Sequence, residues 1–198
     1  MTRSVTLRRI LPAAIGVALL ALLAWGVTAM LERLASRDPE TPDAPAAATP
    51  SETPHISATL FYATPEGDAL MPVRREVPLA EGLVAQGRQV LVAQFEAPPK
   101  PYVSAVPAGT KLRAFYVTEK GDAFVDVSGI AEAHPGGSLT ELLTVQAIVN
   151  AVIANLPAVQ RVQILVDGKE VDTIAGHVDI RRPLVRDLGL LREEKASP

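Results

Sequence analysis

The chain has 198 residues, of which 48% are hydrophobic and 4% aromatic, and its formal net charge is -3. This length allows one ordinary domain with extensions. A faintly acidic chain with few aromatic residues is a poor nucleic-acid binder, because such binding requires clustered lysine and arginine. The sequence contains no cysteine, which excludes disulfides, thiolate metal sites and cysteine nucleophiles.

The N-terminal region has the pattern of a membrane anchor. Residues 1–9 carry Arg3, Arg8 and Arg9, and an uncharged run occupies residues 10–31. A helix over this run is roughly 33 Å long, sufficient to cross a bilayer core of about 30 Å. The preceding arginines predict a cytoplasmic N-terminus, a single-pass anchor in the bacterial inner membrane and an extracytoplasmic remainder. A cleaved signal peptide is the alternative, because residues 27–29 (Val-Thr-Ala) resemble a cleavage site, although the apolar run is longer than usual.

Residues 32–54 have the composition of a linker. This segment is rich in alanine and threonine and contains Pro39, Pro42, Pro45, Pro50 and Pro54. Such a composition predicts an extended, flexible spacer that holds the following domain away from the membrane. Residues 55–192 are then predicted to form the folded domain, and residues 193–198 a disordered tail.

The folded domain is predicted to begin with two strands and a helix. Residues 55–64 alternate apolar and polar side chains, as a strand does. Residues 70–79 predict a second strand, and the prolines near its ends place it at a sheet edge, because proline cannot donate a ladder hydrogen bond. Residues 83–95 predict a helix that Gly87 weakens. The apolar stripe of this helix comprises Leu83, Val84, Val90, Leu91 and Phe95.

A β-hairpin is predicted next. Its strands are residues 111–118 and 123–127, joined by the short connection Glu119-Lys120-Gly121-Asp122. The alternation places Leu112, Ala114 and Tyr116 on one face of the first strand. Phe124 and Asp126 share one face of the second.

Residues 136–168 predict a long helix followed by a strand. Ser138 and Glu141 match a capping box, and Pro157 ends the helix. The helix carries an apolar stripe of Leu142, Val145, Val149, Val152 and Leu156. This stripe is either wholly core or partly an exposed strip available for self-association. Residues 161–166 alternate as a strand, and Asp167-Gly168 fits a two-residue turn into a short last strand over residues 169–174.

The predicted fold class is α+β. The element order is strand, strand, helix, hairpin, helix, strand. It predicts a mixed, mainly antiparallel sheet with two helices packed on one face. The long helix between two strands favours a right-handed crossover.

The domain resembles the GerMN family, the sporulation and spore germination module. The resemblance covers roughly residues 56–185 and rests on LFYATPEGDALMPVRREVPL, SAVPAGTKL, AFVDVSG, the long helix and VQRVQILVDGKEVDTIAGHVDIRRPL. It implies a non-enzymatic extracytoplasmic module, similar to ring-building motifs in which a two-helix face packs against a neighbour's sheet. This chain carries one copy of the module, whereas some family members have two. The resemblance carries over no catalytic, cofactor-binding or metal-binding residues.

A search for catalytic or metal-binding spacing finds no convincing set. His55, His134 and His177 are far apart, and the pair of His177 and Asp179 is more simply a solvated pair than a metal site. Ser128 before Gly129 is more simply a strand-end residue than a nucleophile, because no GxSxG elbow surrounds it. We therefore predict a chain that is not an enzyme and that has no metal or cofactor.

Three further features have both a functional and an ordinary interpretation. Residues 136–137 (Gly-Gly) before a helix could bind an anion, but flexibility ahead of a capped helix is the simpler interpretation. Residues 74–75 and 181–182 are tight Arg-Arg pairs that could bind an acidic partner, but solvated strand-edge charge is more ordinary. Asp126, in phase with Phe124, is predicted to point inward, where it needs a hydrogen-bond partner.

The sequence supports two functional hypotheses. The leading one is a membrane-anchored domain that acts as a protein–protein interaction or assembly module of the cell envelope, binding an envelope protein or copies of itself. The alternative is a peptidoglycan-binding module, because a tethered domain on a flexible spacer could reach the cell wall. A nucleic-acid partner is not expected.

Overall fold

The computed structural model describes residues 54–192. The predicted cytoplasmic segment, the anchor, the linker up to residue 53 and the tail 193–198 lie outside the described residues. The described elements are β1 His55–Ala63, β2 Leu70–Pro78, α1 Leu83–Phe95, β3 Lys111–Val117, β4 Asp122–Ser128, α2 Ile130–Ala133, α3 Ser138–Asn155 and β5 Arg161–Val166. The α+β class and the predicted element order are confirmed, and the short α2 is an addition.

The five strands form two sheets. β1 and β2 form an antiparallel hairpin in which His55 lies opposite Pro78 and Ala63 lies opposite Leu70. The second sheet has the order β3-β4-β5, with β3 antiparallel to β4 and β4 parallel to β5. The long helix α3 connects the two parallel strands, as a crossover requires. The expectation of one mixed sheet is corrected, because only the second sheet is mixed.

Side-chain amides close the edge of β1 that faces away from β2. Gln94 at the end of α1 accepts a hydrogen bond from the Phe61 N–H (2.8 Å) and donates one to the Phe61 carbonyl (2.7 Å). Asn155 at the end of α3 does the same with Thr59, at 2.8 Å in both directions. Each amide thereby satisfies the backbone groups that a neighbouring strand would otherwise bind. The two-strand sheet is therefore complete without joining the other three strands.

The helix α3 is the core of the domain. Its buried residues are Glu141, Leu143, Thr144, Val145, Gln146, Ala147, Ile148, Val149, Asn150, Ala151 and Val152. Consecutive buried residues cover the whole circumference of a helix, so the apolar stripe is core and leaves no exposed strip for self-association. Within residues 54–192, α3 is also the one helix long and apolar enough to cross a bilayer, and its burial is typical of a core helix.

The predicted capping box at the start of α3 is wrong. Gly137 occupies the N-cap position with φ 95°, and no side chain caps the helix. Ser138 is already the first helical residue, so its hydroxyl cannot take the role of an N-cap oxygen. The Glu141 carboxylate instead accepts hydrogen bonds from a loop more than 30 residues away in sequence.

Helix α1 packs closely because it contains Gly87. A Cβ atom at this position would lie 2.2 Å from Cε1 of Phe115 and 2.9 Å from Cδ1 of Leu156. The Phe115 ring therefore rests directly on the helix backbone, where any side chain would obstruct it. The predicted stripe is only partly correct, because Leu83 and Val84 are exposed.

Strand β3 differs from the prediction in which of its side chains share a face. A register shift between Leu112 and Ala114 interrupts the pairing of β3 with β4. Beyond it, Phe115 is 2% exposed and Tyr116 is 60% exposed. An irregularity of this kind reverses the alternation of the strand. Leu112, opposite the core residue Val127, therefore does not share a face with Ala114 and Tyr116 as predicted.

The chain after β5 is held in place by local contacts rather than by a strand. Asp167 (φ 52°) and Gly168 (φ 78°) both adopt the left-handed conformation that a two-residue hairpin turn requires. The predicted turn is confirmed, but the strand over residues 169–174 is wrong, because only Lys169 pairs back to Val166. Further on, Leu184 exchanges two backbone hydrogen bonds of 2.8 Å with Val162. The last segment therefore packs on the body of the domain, as expected.

Candidate functional site

The most heavily bonded polar side chain is Glu141, in the first turn of α3. Its Oε1 accepts hydrogen bonds from the backbone N–H groups of Ile174 and Ala175, both at 2.8 Å. Its Oε2 accepts from the His177 N–H at 2.8 Å and lies 3.2 Å from Nδ1 of that residue. The side chain is fully buried. The carboxylate thus joins the loop 174–178 to the core helix.

Two opposing effects determine the pKa of Glu141. Burial raises it, but the backbone N–H donors from Ala175, His177, Ile174 and Val178 together lower the pKa below its usual value. The group is therefore a carboxylate at neutral pH. Its lone pairs are directed at the loop amides, which leaves it poorly placed to accept a proton from a substrate. Its role is structural.

His177 and Asp179 do not pair with each other. His177 contacts Glu141, whereas Asp179 binds Arg181 through two hydrogen bonds of 3.0 and 2.6 Å. The hydrogen bonds from Arg181 hold the pKa of Asp179 well below its usual range. Among residues 54–192, no three metal-ligating side chains come together.

His134 explains the conformation of the two glycines before α3. Its Nδ1 accepts a hydrogen bond from the Gly136 N–H at 3.0 Å. The ring hydrogen is therefore on Nε2, which lies 3.3 Å from the Thr144 hydroxyl. That hydroxyl in turn donates to the Ala105 carbonyl at 2.6 Å. The Gly136–Gly137 segment is thus a bonded connection rather than the flexible one that the ordinary interpretation assumed.

The two arginine pairs make separate contacts. Arg75 donates to the Tyr62 hydroxyl at 2.9 Å and to Glu96 at 3.3 Å. Burial raises the pKa of Tyr62, and the hydrogen bond from Arg75 opposes that rise. Arg181 binds Asp179, as described above. One arginine of each pair is therefore engaged locally, and Arg74 and Arg182 are exposed.

Asp126 does not point into the core as predicted, because Val125 and Val127 face the core and Asp126 shares the outer face of the sheet with Phe124. It is nevertheless buried on that face and has the partners that a buried carboxylate requires. Its Oδ1 accepts a hydrogen bond of 2.8 Å from the Gly168 N–H. Its Oδ2 lies 3.8 Å from Nε of Arg113, which also approaches Asp167 at 3.6 Å. The carboxylate therefore fixes the turn after β5 against β4.

The described surface exposes several large apolar side chains. They are Leu79, Leu83, Val84, Val92, Val103, Tyr116, Leu139, Val185 and Leu188. Four of them fall between residues 79 and 92, on the connection from β2 and on helix α1. We call Leu79, Leu83, Val84 and Val92 the α1 patch. At 3.6 residues per turn, Val84 and Val92 lie about 80° apart around the helix, whereas Leu83 and Val92 lie about 180° apart.

Comparison with known proteins identifies the family. A family model described as Germane, sporulation and spore germination, matches residues 59–172. The chain belongs to the Germane family. The resemblance to the sporulation and spore germination module is thereby confirmed.

Solved structures of related domains share the Germane fold of this chain. The first GerMN domain of the sporulation protein GerM from Bacillus subtilis is 18% identical with a TM-score of 0.50, and the match covers 67% of this chain and 96% of that one. The tandem GerMN domains of the same protein give the same identity and score, with 45% of that chain covered. No curated protein matches the chain.

Sequence reasoning missed the polar groups that organise this Germane domain. Glu141 was assigned to a helix cap, and Gln94 and Asn155 attracted no attention because amides within helices are common. One signal was available: Gln94 and Asn155 each lie at the C-terminal end of a helix, beside buried apolar residues. A buried amide requires partners for both of its polar atoms, and β1 supplies them.

Proposed function

We propose that this chain is a single-pass protein of the bacterial inner membrane whose Germane domain acts outside the cytoplasm as a non-catalytic interaction or assembly module. The α1 patch is the observation that carries the proposal. Val84 is 40% exposed and Val92 is 48% exposed. Exposed large apolar side chains that lie near one another in the chain favour a protein–protein contact surface. The partner is an envelope protein or another copy of the chain.

The use of the buried polar groups supports a non-catalytic role. Glu141, Asp126, Gln94 and Asn155 each bind backbone groups within the domain. A catalytic acid, base or nucleophile must instead direct its reactive atom at a substrate. These four side chains therefore stabilise the loop 174–178, the turn after β5 and the edge of β1.

Site-specific photo-crosslinking in cells tests the interaction. A crosslinking residue in place of Leu83 in the full-length chain is expected to capture a discrete envelope protein or a second copy. The capture should disappear when Val84→Lys and Val92→Lys are combined, since two charges then interrupt the patch. A crosslinking residue in place of the exposed Lys120 is the matched control. Equal capture at Leu83 and Lys120, or capture that survives the double substitution, contradicts the proposal.

A reporter fusion tests the topology separately. Alkaline phosphatase is active only outside the cytoplasm, so a fusion at the C-terminus is expected to be active. An active cytoplasmic reporter at the same position would overturn the proposed location while leaving the interaction test intact.

Binding to the cell wall is the second candidate, and Tyr116 favours it. This exposed tyrosine lies directly opposite the half-buried Phe124 on the outer face of the three-stranded sheet. An aromatic face of this kind can stack on a sugar ring, and the tyrosine hydroxyl can bond to water or sugar. Pelleting with purified peptidoglycan that depends on Tyr116 would support this function. A domain that stays in the supernatant would exclude it.

A further inference from the structure

The outer edge of β2 has backbone groups that point away from β1. The pairing pattern establishes this direction. Leu79 donates to the Pro54 carbonyl across the hairpin, whereas Thr59 and Phe61 direct their N–H groups to the side chains of the helices. Antiparallel pairs alternate between bonded and non-bonded positions. Since Arg74 lies opposite Thr59, its own N–H and C=O must point outward.

The same alternation defines the whole edge. The residues of β2 that point their backbone outward are Leu70, Pro72, Arg74, Glu76 and Pro78. Leu70 is occupied, because it binds Leu190 (2.8 Å) and Arg192 (2.9 Å) of the C-terminal segment. Within residues 54–192, no hydrogen bond reaches the backbone of Arg74 or Glu76. The Pro78 carbonyl accepts a hydrogen bond from Gln86 Nε2 at 3.3 Å. The open part of the edge therefore lies between Pro72 and Pro78.

This open window is symmetric about Arg75. Prolines stand at its two ends, and neither has an N–H to satisfy. The two residues that do have outward N–H groups, Arg74 and Glu76, stand on either side of the centre. A second strand with the same sequence, running antiparallel and centred on the same residue, would place Arg74 opposite Glu76 and Pro72 opposite Pro78.

We propose that this window is a two-fold interface through which two copies of the chain pair their β2 strands into a continuous four-stranded sheet. In this register Arg74 and Glu76 of each copy exchange both backbone hydrogen bonds with the opposite residue, four bonds in all. The prolines meet each other at both ends, so no N–H donor is left unpaired. A shifted register would set a proline against Arg74 or Glu76 and lose donors.

Charge complementarity is the second reason for a copy of this chain as the partner. Arg74 and Glu76 are exposed and lie on the same face of β2, because they are two residues apart. In the two-fold register Arg74 of each copy faces Glu76 of the other, which gives two oppositely charged pairs, whereas the two Arg75 residues face each other at the axis on the opposite face of the sheet. Oppositely charged cross-strand pairs stabilise a sheet, and like charges in that position destabilise it.

The inner face of the strand is compatible with this arrangement. Arg75 at the proposed axis is partly buried and donates to Tyr62 and to Glu96. In each copy Glu96 thereby offsets the positive charge that the two Arg75 residues bring to the axis. Pairing at the edge therefore requires no rearrangement of the core. The competing account is that proline and charge simply prevent edge-to-edge pairing, and the experiment below separates the two.

Cysteine pairing tests the register, because the native chain has no cysteine. Opposite residues that exchange hydrogen bonds have Cα atoms about 5.5 Å apart, within disulfide range. Identical positions on the two copies are diagonal neighbours about 7–8 Å apart and are out of range. Full-length Arg74→Cys and Glu76→Cys chains, differently tagged and co-expressed, are expected to form a disulfide in membranes under oxidation.

Each outcome has a defined meaning. A disulfide in the mixed sample, with neither variant linking to itself, supports the two-fold register. Self-linking of Arg74→Cys alone indicates another register and overturns the proposal. Absence of any disulfide also overturns it and favours a blocked edge. A co-expressed pair of Glu119→Cys and Lys169→Cys, both exposed and remote from the edge, controls for random collision.

Charge reversal supplies a second measurement that leaves the backbone unchanged. Arg74→Glu or Glu76→Arg in the full-length chain in detergent is expected to weaken self-association about tenfold or more, since both symmetric pairs become repulsive. Mixing the two variants should restore it, because each then faces the opposite charge. Lys120→Glu, at the exposed turn between β3 and β4, should have no effect. Equal association of all variants overturns the proposal.

This inference rests on the proposed function, because it names one partner and one surface for the assembly module. The two can fail separately. If the edge does not pair but the α1 patch still captures an envelope protein, only the two-fold interface is refuted. If both measurements fail, the interaction role fails with them.

Discussion

Replacing Gly87 with alanine should destabilise the domain, although the same change stabilises most helices. In an unobstructed helix interior, alanine is favoured over glycine by about 1 kcal/mol. Here the new methyl group would lie 2.2 Å from Cε1 of Phe115. A separation of at least about 3.5 Å is normal for carbon atoms, so the ring or the helix has to move.

The magnitude follows from that displacement. Overpacking a well-filled core typically costs about 1–3 kcal/mol, and both obstructing groups are core side chains. We expect Gly87→Ala to lower the free energy of unfolding by about 1–3 kcal/mol. For a domain of this size the melting temperature should fall by roughly 5–10 °C.

Urea and thermal denaturation of the compact unit Glu52–Pro198, followed by circular dichroism, measure this effect. Arg88→Ala, on the exposed face of the same helix, is the control and should change stability by less than about 0.5 kcal/mol. Combining Gly87→Ala with Phe115→Leu should recover part of the loss, because the smaller side chain makes room. An increase in stability on Gly87→Ala would refute the close packing of Phe115 on α1.

Two further predictions concern buried polar groups. Glu141→Gln should lower the free energy of unfolding by about 2–3 kcal/mol at pH 7, because an amide cannot satisfy all of the loop donors. The folded-state pKa of Glu141 is lowered, so its contribution is present above the unfolded pKa of about 4.3 and is lost as pH falls through the folded pKa. Denaturation at pH 7 and pH 3 should therefore show a smaller difference from wild type at pH 3; a difference independent of pH, or an equal loss in Glu132→Gln, would contradict this. Gln94→Leu leaves the buried Phe61 N–H and C=O unpaired and should cost about 2–4 kcal/mol in the same assay. Gln89→Leu on the same helix is its control, and equal effects would refute the edge contact.

Periodicity predicted the positions of the main strands and helices, because each element repeats a local pattern that the backbone geometry imposes. The turn at Asp167-Gly168 was equally predictable, since few sequences adopt positive φ at two successive residues. The proline-marked strand at residues 70–79 was correctly placed at an edge, since its outward positions include Pro72 and Pro78.

The misses all involve contacts between residues distant in sequence. Ser138 and Glu141 match a local capping motif, but Glu141 bonds to a loop 33–36 residues later, and no local pattern reports that. Helix propensity predicts only that Gly87 weakens α1, whereas in the structure its lack of a side chain lets the Phe115 ring pack against the helix. The bulge after Leu112 places Ala114 and Tyr116 on the face opposite to that of Leu112, because a single inserted residue reverses strand alternation.

The candidate surfaces could be identified only after these distant contacts were known. The sequence alone leaves open whether the long helix is wholly core or partly a docking face, and the burial of its residues from Leu143 to Val152 assigns its apolar stripe to the core. The exposed apolar residues lie instead on α1, and the open backbone lies on β2. The exposure of both surfaces depends on which elements pack against each other. Tertiary packing determines this, and a local sequence pattern does not.

The closure of β1 by side chains also determines where its sheet can grow. Gln94 and Asn155 bind the backbone of Phe61 and Thr59, so no further strand can add at that edge without displacing the buried amide of Gln94 and the half-buried amide of Asn155. Displacement would leave those amides and the strand with unpaired groups, at about 1–3 kcal/mol for each buried donor or acceptor. Growth of the two-strand sheet is therefore directed to the outer edge of β2. At that edge the prolines limit the registers in which another strand can pair. The two-strand sheet can therefore grow at one edge only, and there in a restricted register.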